Sequence, residues 1–195
     1  LDFREKAPSA ATADMYIDDQ GNAMLTKSQF GHLAAGVPGT TDGMVEAFNK
    51  YSQLKSWKTL LQPSIDLATY GYRITEREAN NLNEEQENFI KYNKYTTPFH
   101  KALWSKEDII LHPELATTLK AIRDNGRDGF YKGSVAQHIV NEMKAGGGLI
   151  TLNDLSNYKS VWRQPLVTTY RGYKIIGMPP PSSGGICLHQ LLKIV

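Results

Sequence analysis

The chain has 195 residues, 41% of them hydrophobic and 22% charged, with a formal net charge of +2. That is an ordinary soluble globular composition with room for one sizeable core. The charge is too mild to argue for nucleic acid or an anionic membrane, no stretch is apolar enough to span a bilayer, and a single cysteine, Cys187, excludes an intrachain disulfide.

Residues 1–40 read as strand, loop and turns. DMYIDDQGN predicts a short strand entering a turn at Asp19, Gln20, Gly21 and Asn22. In TTDGMVEAFNKY, Met44, Val45, Ala47, Phe48 and Tyr51 share a helical face, and Thr41 or Asp42 is the expected cap. SWKTLLQPSIDLATYG predicts a short helix capped by Ser56, then a second with Pro63 in its first turn and Gly71 at its left-handed end. Residues 75–92 read as one solvated helix, and residues 93–110 as loop and turns. HPELATTLKAIRDNG predicts a helix from Pro113 to a stop at Gly126. Another helix is expected from Gly133 or Ser134 to Met143 or Lys144. Thr151, three residues before Asp154, predicts a start of capping-box type. PLVTTYRGYKIIGM reads as a hairpin turning at Arg171 and Gly172. Two strands are marginal in water, so this hairpin is expected to join a sheet formed by sequence outside the chain.

Several site types are rejected by spacing. His32, His100, His112, His138 and His189 include no pair at metal-ligand spacing, and one cysteine cannot build a thiolate zinc site. AGGGLIT lacks the Gly-Lys-Ser/Thr ending of a phosphate loop, and PPPSSGG is not a nucleophile elbow. No internal repeat or basic, aromatic-interleaved stripe is present.

Two compact motifs remain. In DFREKAP, residues 2–8, an arginine held by neighbouring acids presents a planar fork suited to a carboxylate; it could equally be a solvated charge cluster. In MPPPSSGG, residues 178–185, stiffening prolines lead into the start of a helix whose free N–H groups could hold an anion or a partner loop. The plainer alternative is a rigid turn with Ser182 or Ser183 as cap. Cys187 is expected to be a buried small apolar residue, and His189 a core or partner-facing one.

Taken together, these stretches resemble the γ-glutamyltransferase (γ-glutamyltranspeptidase) family. The resemblance is carried by DFREKAP, GVPGTTDGM, WKTLLQPSIDLA, GRDGFYKGSVAQHIV, GGLITLNDLSNYKSVWRQPL and YRGYKIIGMPPPSSGG, in family order. It implies a precursor that cleaves itself before a threonine, which then acts as nucleophile with its own amine as base. That threonine would attack the γ-glutamyl amide of glutathione or a related compound, and the γ-glutamyl-enzyme would pass its acyl group to water or to an amino acid or peptide. The implied fold is helix-rich α/β (α+β), part of the αββα sandwich of N-terminal-nucleophile hydrolases, with no cofactor and no metal.

The resemblance makes residues 1–195 a single incomplete domain, an internal fragment of the large subunit. The piece begins at Leu1 without an apolar leader and ends inside an apolar helical pattern. The nucleophilic threonine is not expected within it, because Thr40-Thr41 and Thr117-Thr118 lie inside matched large-subunit segments. The fragment by itself is expected to be inactive, with the small subunit of the same precursor as partner. Arg4 occupies the family position that binds the substrate's α-carboxylate, while Asp2 and Glu5 are expected to orient it. Ser182, Ser183, Gly184 and Gly185 are expected to be structural. The resemblance also implies a periplasmic or extracellular location. A related amidase such as a cephalosporin acylase, or a noncatalytic scaffold protein, are the alternatives.

Overall fold

Residues 2 to 6 run extended because the chain is bridged on both sides of Arg4. Asp2 pairs antiparallel with Val161, and Lys6 with Val37. The computed structural model describes residues 1–93 and 95–195; Lys94, within the expected 93–110 loop, lies outside the described residues. The strand expected near Met15 shrinks to one bridge, Ile17 to Ala23. Asp18 closes the turn between them by accepting the N–H groups of Gln20 and Asn22. A short helix α1 (Leu25–Gln29) and a 3₁₀ turn (His32–Ala34) follow, where only loop was expected.

Helix α2 (Thr40–Tyr51) starts after Gly39, so neither Thr41 nor Asp42 caps it. Asp42 lies inside the first turn and is buried, because stronger partners from distant segments claim its carboxylate. Helix α3 (Trp57–Tyr70) is capped as expected, Ser56 Oγ accepting the Thr59 N–H at 3.2 Å. It corrects the two-helix expectation, for Pro63 sits within one continuous helix. Thr59 and Pro63 are both exposed, so water can take the carbonyl that Pro63 leaves unbonded. Packing of α3 on the helix that spans Pro113–Asn125 holds it together across that gap. Gly71 ends it at φ +84°.

Strand β1 (Tyr72–Arg73) leads to α4 (Glu76–Glu84) and α5 (Gln86–Tyr92). The single solvated helix expected there breaks at Glu85. The Gln86 side-chain amide donates to the Leu82 carbonyl at 3.0 Å, competing with the helical N–H for that acceptor, and to Phe99 O at 2.9 Å. Strand β2 (Ile109–Ile110) pairs antiparallel with β1 and corrects the expectation of loop for 93–110. Helix α6 (Pro113–Asn125) begins and ends as predicted, with Gly126 at φ +58°. Helices α7 (Asp128–Tyr131), α8 (Gly133–Gly146) and α9 (Leu152–Asn157) follow, the last with a reciprocal box between Thr151 and Asp154.

Strands β3 (Leu166–Tyr170) and β4 (Tyr173–Gly177) form the predicted hairpin. Arg171 and Gly172 both take positive φ, as the tight mirror-image turn requires. Helix α10 (Gly184–Ile194) packs on the hairpin. Among the described residues there are two two-stranded pairs and no layered sandwich. The domain is helix-rich, and no described helix is long and apolar enough to cross a membrane. One buried cluster joins Val37, Tyr131, Ala136, Val140, Ile150, Leu155 and Tyr158; the extended N-terminal segment lies on its Tyr131–Tyr158 edge. A second joins Ile74, Ala79, Trp104 and Ile110.

Candidate functional site

The buried ion pair beneath the N-terminal segment organises the site. Arg127 Nε lies 2.6 Å from Asp42 Oδ1, and the same guanidinium donates to the carbonyls of Ser156 and Tyr158. The other oxygen of Asp42 accepts both the hydroxyl and the N–H of Ser160 at 2.7 Å. Burial pushes the Asp42 carboxyl upward, but the bonds from Ser160 and Arg127 outweigh it and hold the group below the usual aspartate range. The start of α2 and residues 156–160 are thereby tied together through the turn before α7.

Tyrosines carry that order to the N-terminal segment. Tyr131 and Tyr158 stack with ring centroids 5.7 Å apart. The Tyr131 hydroxyl donates to Pro38 O at 2.7 Å, and the Tyr158 hydroxyl donates to the carbonyl of Arg4 at 2.7 Å. Burial raises both phenols further above their ordinary value, and each donates as a neutral hydroxyl. Phe3 packs against Gly43 so closely that a Cβ there would stand 2.3 Å from its ring.

Arg4 itself is exposed. Its Nε lies 3.5 Å from Glu5 Oε1, and both side chains are 62% accessible. Asp2 does not meet the Arg4 guanidinium. One of its oxygens accepts the Arg4 backbone N–H at 3.1 Å, and the other accepts Arg163 Nε at 2.8 Å. These bonds, that from Arg163 first, hold the Asp2 carboxyl below its ordinary value. Glu5 therefore touches the fork, whereas Asp2 positions the peptide that bears it.

A cleft of about 600 Å³ opens beside Arg4. Its lining includes Asp2, Phe3 and Arg4, together with Tyr51, Trp162 and Arg163, and residues 178–182. The two motifs singled out in the sequence thus face one cavity. Within MPPPSSGG, Ser182 Oγ accepts the Gly184 N–H at 3.3 Å, and Ser183 precedes α10 without a side-chain cap bond. Gly185 lets the helix press on Met178, whose carbonyl would stand 2.1 Å from an added Cβ. Gly185 serves backbone packing here, whereas a Cβ on Gly184 would meet only Ser182 Oγ at an ordinary 3.6 Å.

Cys187 is exposed, contrary to the burial expected of it, because α10 rests on the hairpin by its other face. His189 is half-buried against Gly177, and its Nε2 has no hydrogen-bond partner among the described residues. No group of three or more His, Cys, Asp or Glu side chains could hold a metal among the described residues. Arg163, Tyr158, Asp42 and Arg127 were not predicted as site-building residues. Their partners lie 29 to 161 positions away, beyond any local pattern.

A family model described as Gamma-glutamyltranspeptidase matches residues 1–195. The chain belongs to the gamma-glutamyltranspeptidase family. It is 42% identical over 205 residues to the glutathione hydrolase proenzyme of Escherichia coli (strain K12), covering all of this chain and 34% of that protein. The crystal structure of Helicobacter pylori gamma-glutamyltranspeptidase superposes with a TM-score of 0.95 at 46% identity, over 99% of this chain and 56% of that one. A cephalosporin acylase from Bacillus halodurans has a TM-score of 0.78 at 23% identity, over 94% of this chain and 35% of that one, and shares the fold alone. This gamma-glutamyltranspeptidase family chain spans about a third of the length of the curated relatives it matches.

Proposed function

We propose that this segment supplies the carboxylate-reading side of a γ-glutamyltransferase active site. The enzyme cleaves the γ-glutamyl amide of glutathione and related compounds and passes the γ-glutamyl group to water or to an amino acid or peptide. Arg4 binds the α-carboxylate of the donor. The observation that carries the reading is an exposed guanidinium on a rigidly tied peptide, opening into a cleft, in a chain matched to the family from end to end. A planar fork offers two parallel N–H donors to a carboxylate, which an ammonium cannot.

The nucleophile is the N-terminal threonine of the small subunit, outside this sequence. Its hydroxyl oxygen attacks the γ-carbonyl carbon, the amide C–N bond breaks, and the amine leaves with a proton. Water or an acceptor amine then takes the acyl group and frees the threonine. In this reading, residues 1–195 contribute helices and the β3–β4 hairpin to an αββα sandwich completed by the small subunit.

The test is Arg4→Lys in the full-length processed enzyme. KM for γ-glutamyl substrates should rise about 10- to 100-fold, because a point charge replaces a bidentate contact. Unchanged KM in a folded variant would remove Arg4 from the binding site.

A further inference from the structure

We propose that Arg163 and Tyr158 are positioning residues for Arg4, gripping the two ends of its backbone so that its fork reaches one fixed point of the cleft. This deepens the proposed function and rests on the reading of Arg4 as the carboxylate-binding group.

The Arg4 side chain has little to fix it directly. Its contact with Glu5 is 3.5 Å long and exposed on both sides, and such pairs hold long side chains weakly. The order must come from the backbone, since binding groups need placement within about half an ångström. The Arg4 carbonyl accepts from Tyr158 Oη at 2.7 Å. Tyr158 is 3% exposed and stacked on Tyr131, so its hydroxyl is a fixed peg. The Arg4 N–H donates to Asp2 Oδ1 at 3.1 Å, and that carboxylate is in turn held by Arg163 Nε at 2.8 Å. Asp2 and Val161 exchange both backbone bonds, at 2.8 and 2.7 Å. Both anchors therefore come from residues 158–163, a segment fixed from below by Arg127 and Asp42.

Charge separates the roles. Arg163 lines the cleft, and among the described residues its side chain bonds only Asp2, through Nε, so the positioning role runs through that carboxylate. Tyr158 presents no charge. Loss of either should loosen Arg4 and leave the reacting groups in place.

The experiment measures KM and kcat for a γ-glutamyl anilide in the full-length processed enzyme, with melting temperature as the check on folding. Tyr158→Phe and Arg163→Gln should each raise KM about three- to tenfold with kcat within about twofold. Arg163→Lys should recover most of the loss, because an ammonium can still meet Asp2. In an Arg4→Lys background, Tyr158→Phe and Arg163→Gln should each add less than about twofold, for no fork remains to be aimed. Unchanged KM in Tyr158→Phe and Arg163→Gln, beside a damaged Arg4→Lys, overturns the positioning role alone. Undiminished KM effects in the Arg4→Lys background also overturn it, since they would arise without Arg4. Unchanged KM in Arg4→Lys itself overturns the carboxylate-binding reading, and the positioning role falls with it.

Discussion

Arg127 sets its Nε 2.6 Å from Oδ1 of Asp42 and so joins parts of the chain 85 residues apart. Asp42 is 2% exposed, which makes the pair a buried one. Removing the arginine by Arg127→Met leaves a desolvated carboxylate with only Ser160 to satisfy it. We expect a loss of about 3–5 kcal/mol in unfolding free energy, measured in urea. Asp42→Asn/Arg127→Met together should lose less than the two single losses summed, as coupled partners do.

Asp154 gives a pH dependence with a definite sign. Burial raises its carboxyl, but bonds from Thr151 and from Ser9 overcome that and bring it to about 2, against an ordinary 3.8. A depressed folded value means that the contribution is complete above the unfolded value and is lost as pH falls through the folded one. Acid unfolding between about pH 4 and 2 should therefore be less steep in Asp154→Asn, with up to about 2 kcal/mol less stability at neutral pH. Stability measured in urea at several pH values checks this.

The box at Thr151 and the cap at Ser56 were legible in the sequence because each is closed within three residues. The turn at Arg171 and Gly172 was legible for the same reason. The β1–β2 pair was not, since Tyr72–Arg73 and Ile109–Ile110 are too short to show any alternation. Asp42 looked like a cap because its type and place suit one; only the fold reveals Arg127 and Ser160 as its partners. Arg4 was identified through resemblance to the family, with Asp2 and Glu5 alike expected to orient it. Glu5 meets the guanidinium, whereas the link to Asp2 runs through the backbone and Arg163, which lies 161 residues from Asp2. No spacing rule reaches so far.

Gly43 is where α2 meets the N-terminal segment. A methyl group there would lie 2.3 Å from Phe3 Cγ and 2.5 Å from Phe3 Cβ. Gly43→Ala gains about 1 kcal/mol of helix propensity but forces Phe3 to move, at a cost of about 1–3 kcal/mol. Stability should change little or fall modestly. KM of the full-length enzyme should rise more clearly, because Arg4 is the next residue. A crystal structure of the variant would show Phe3 displaced.

The chain has three tryptophans, and the fold has separated their surroundings. Trp104 is 6% exposed in the second core, and Trp57 donates its ring N–H to Ile122 O at 3.0 Å. Trp162 is 39% exposed on the cleft wall, edge-on to Tyr51 and 3.8 Å below the Lys50 ammonium. A molecule entering beside Arg4 would change the water and the cation around that indole. Its fluorescence is then a built-in optical gauge of occupancy, needing no label and no turnover. Titrating glutamate should shift the emission, and Trp162→Phe should abolish the shift while the other two indoles continue to emit.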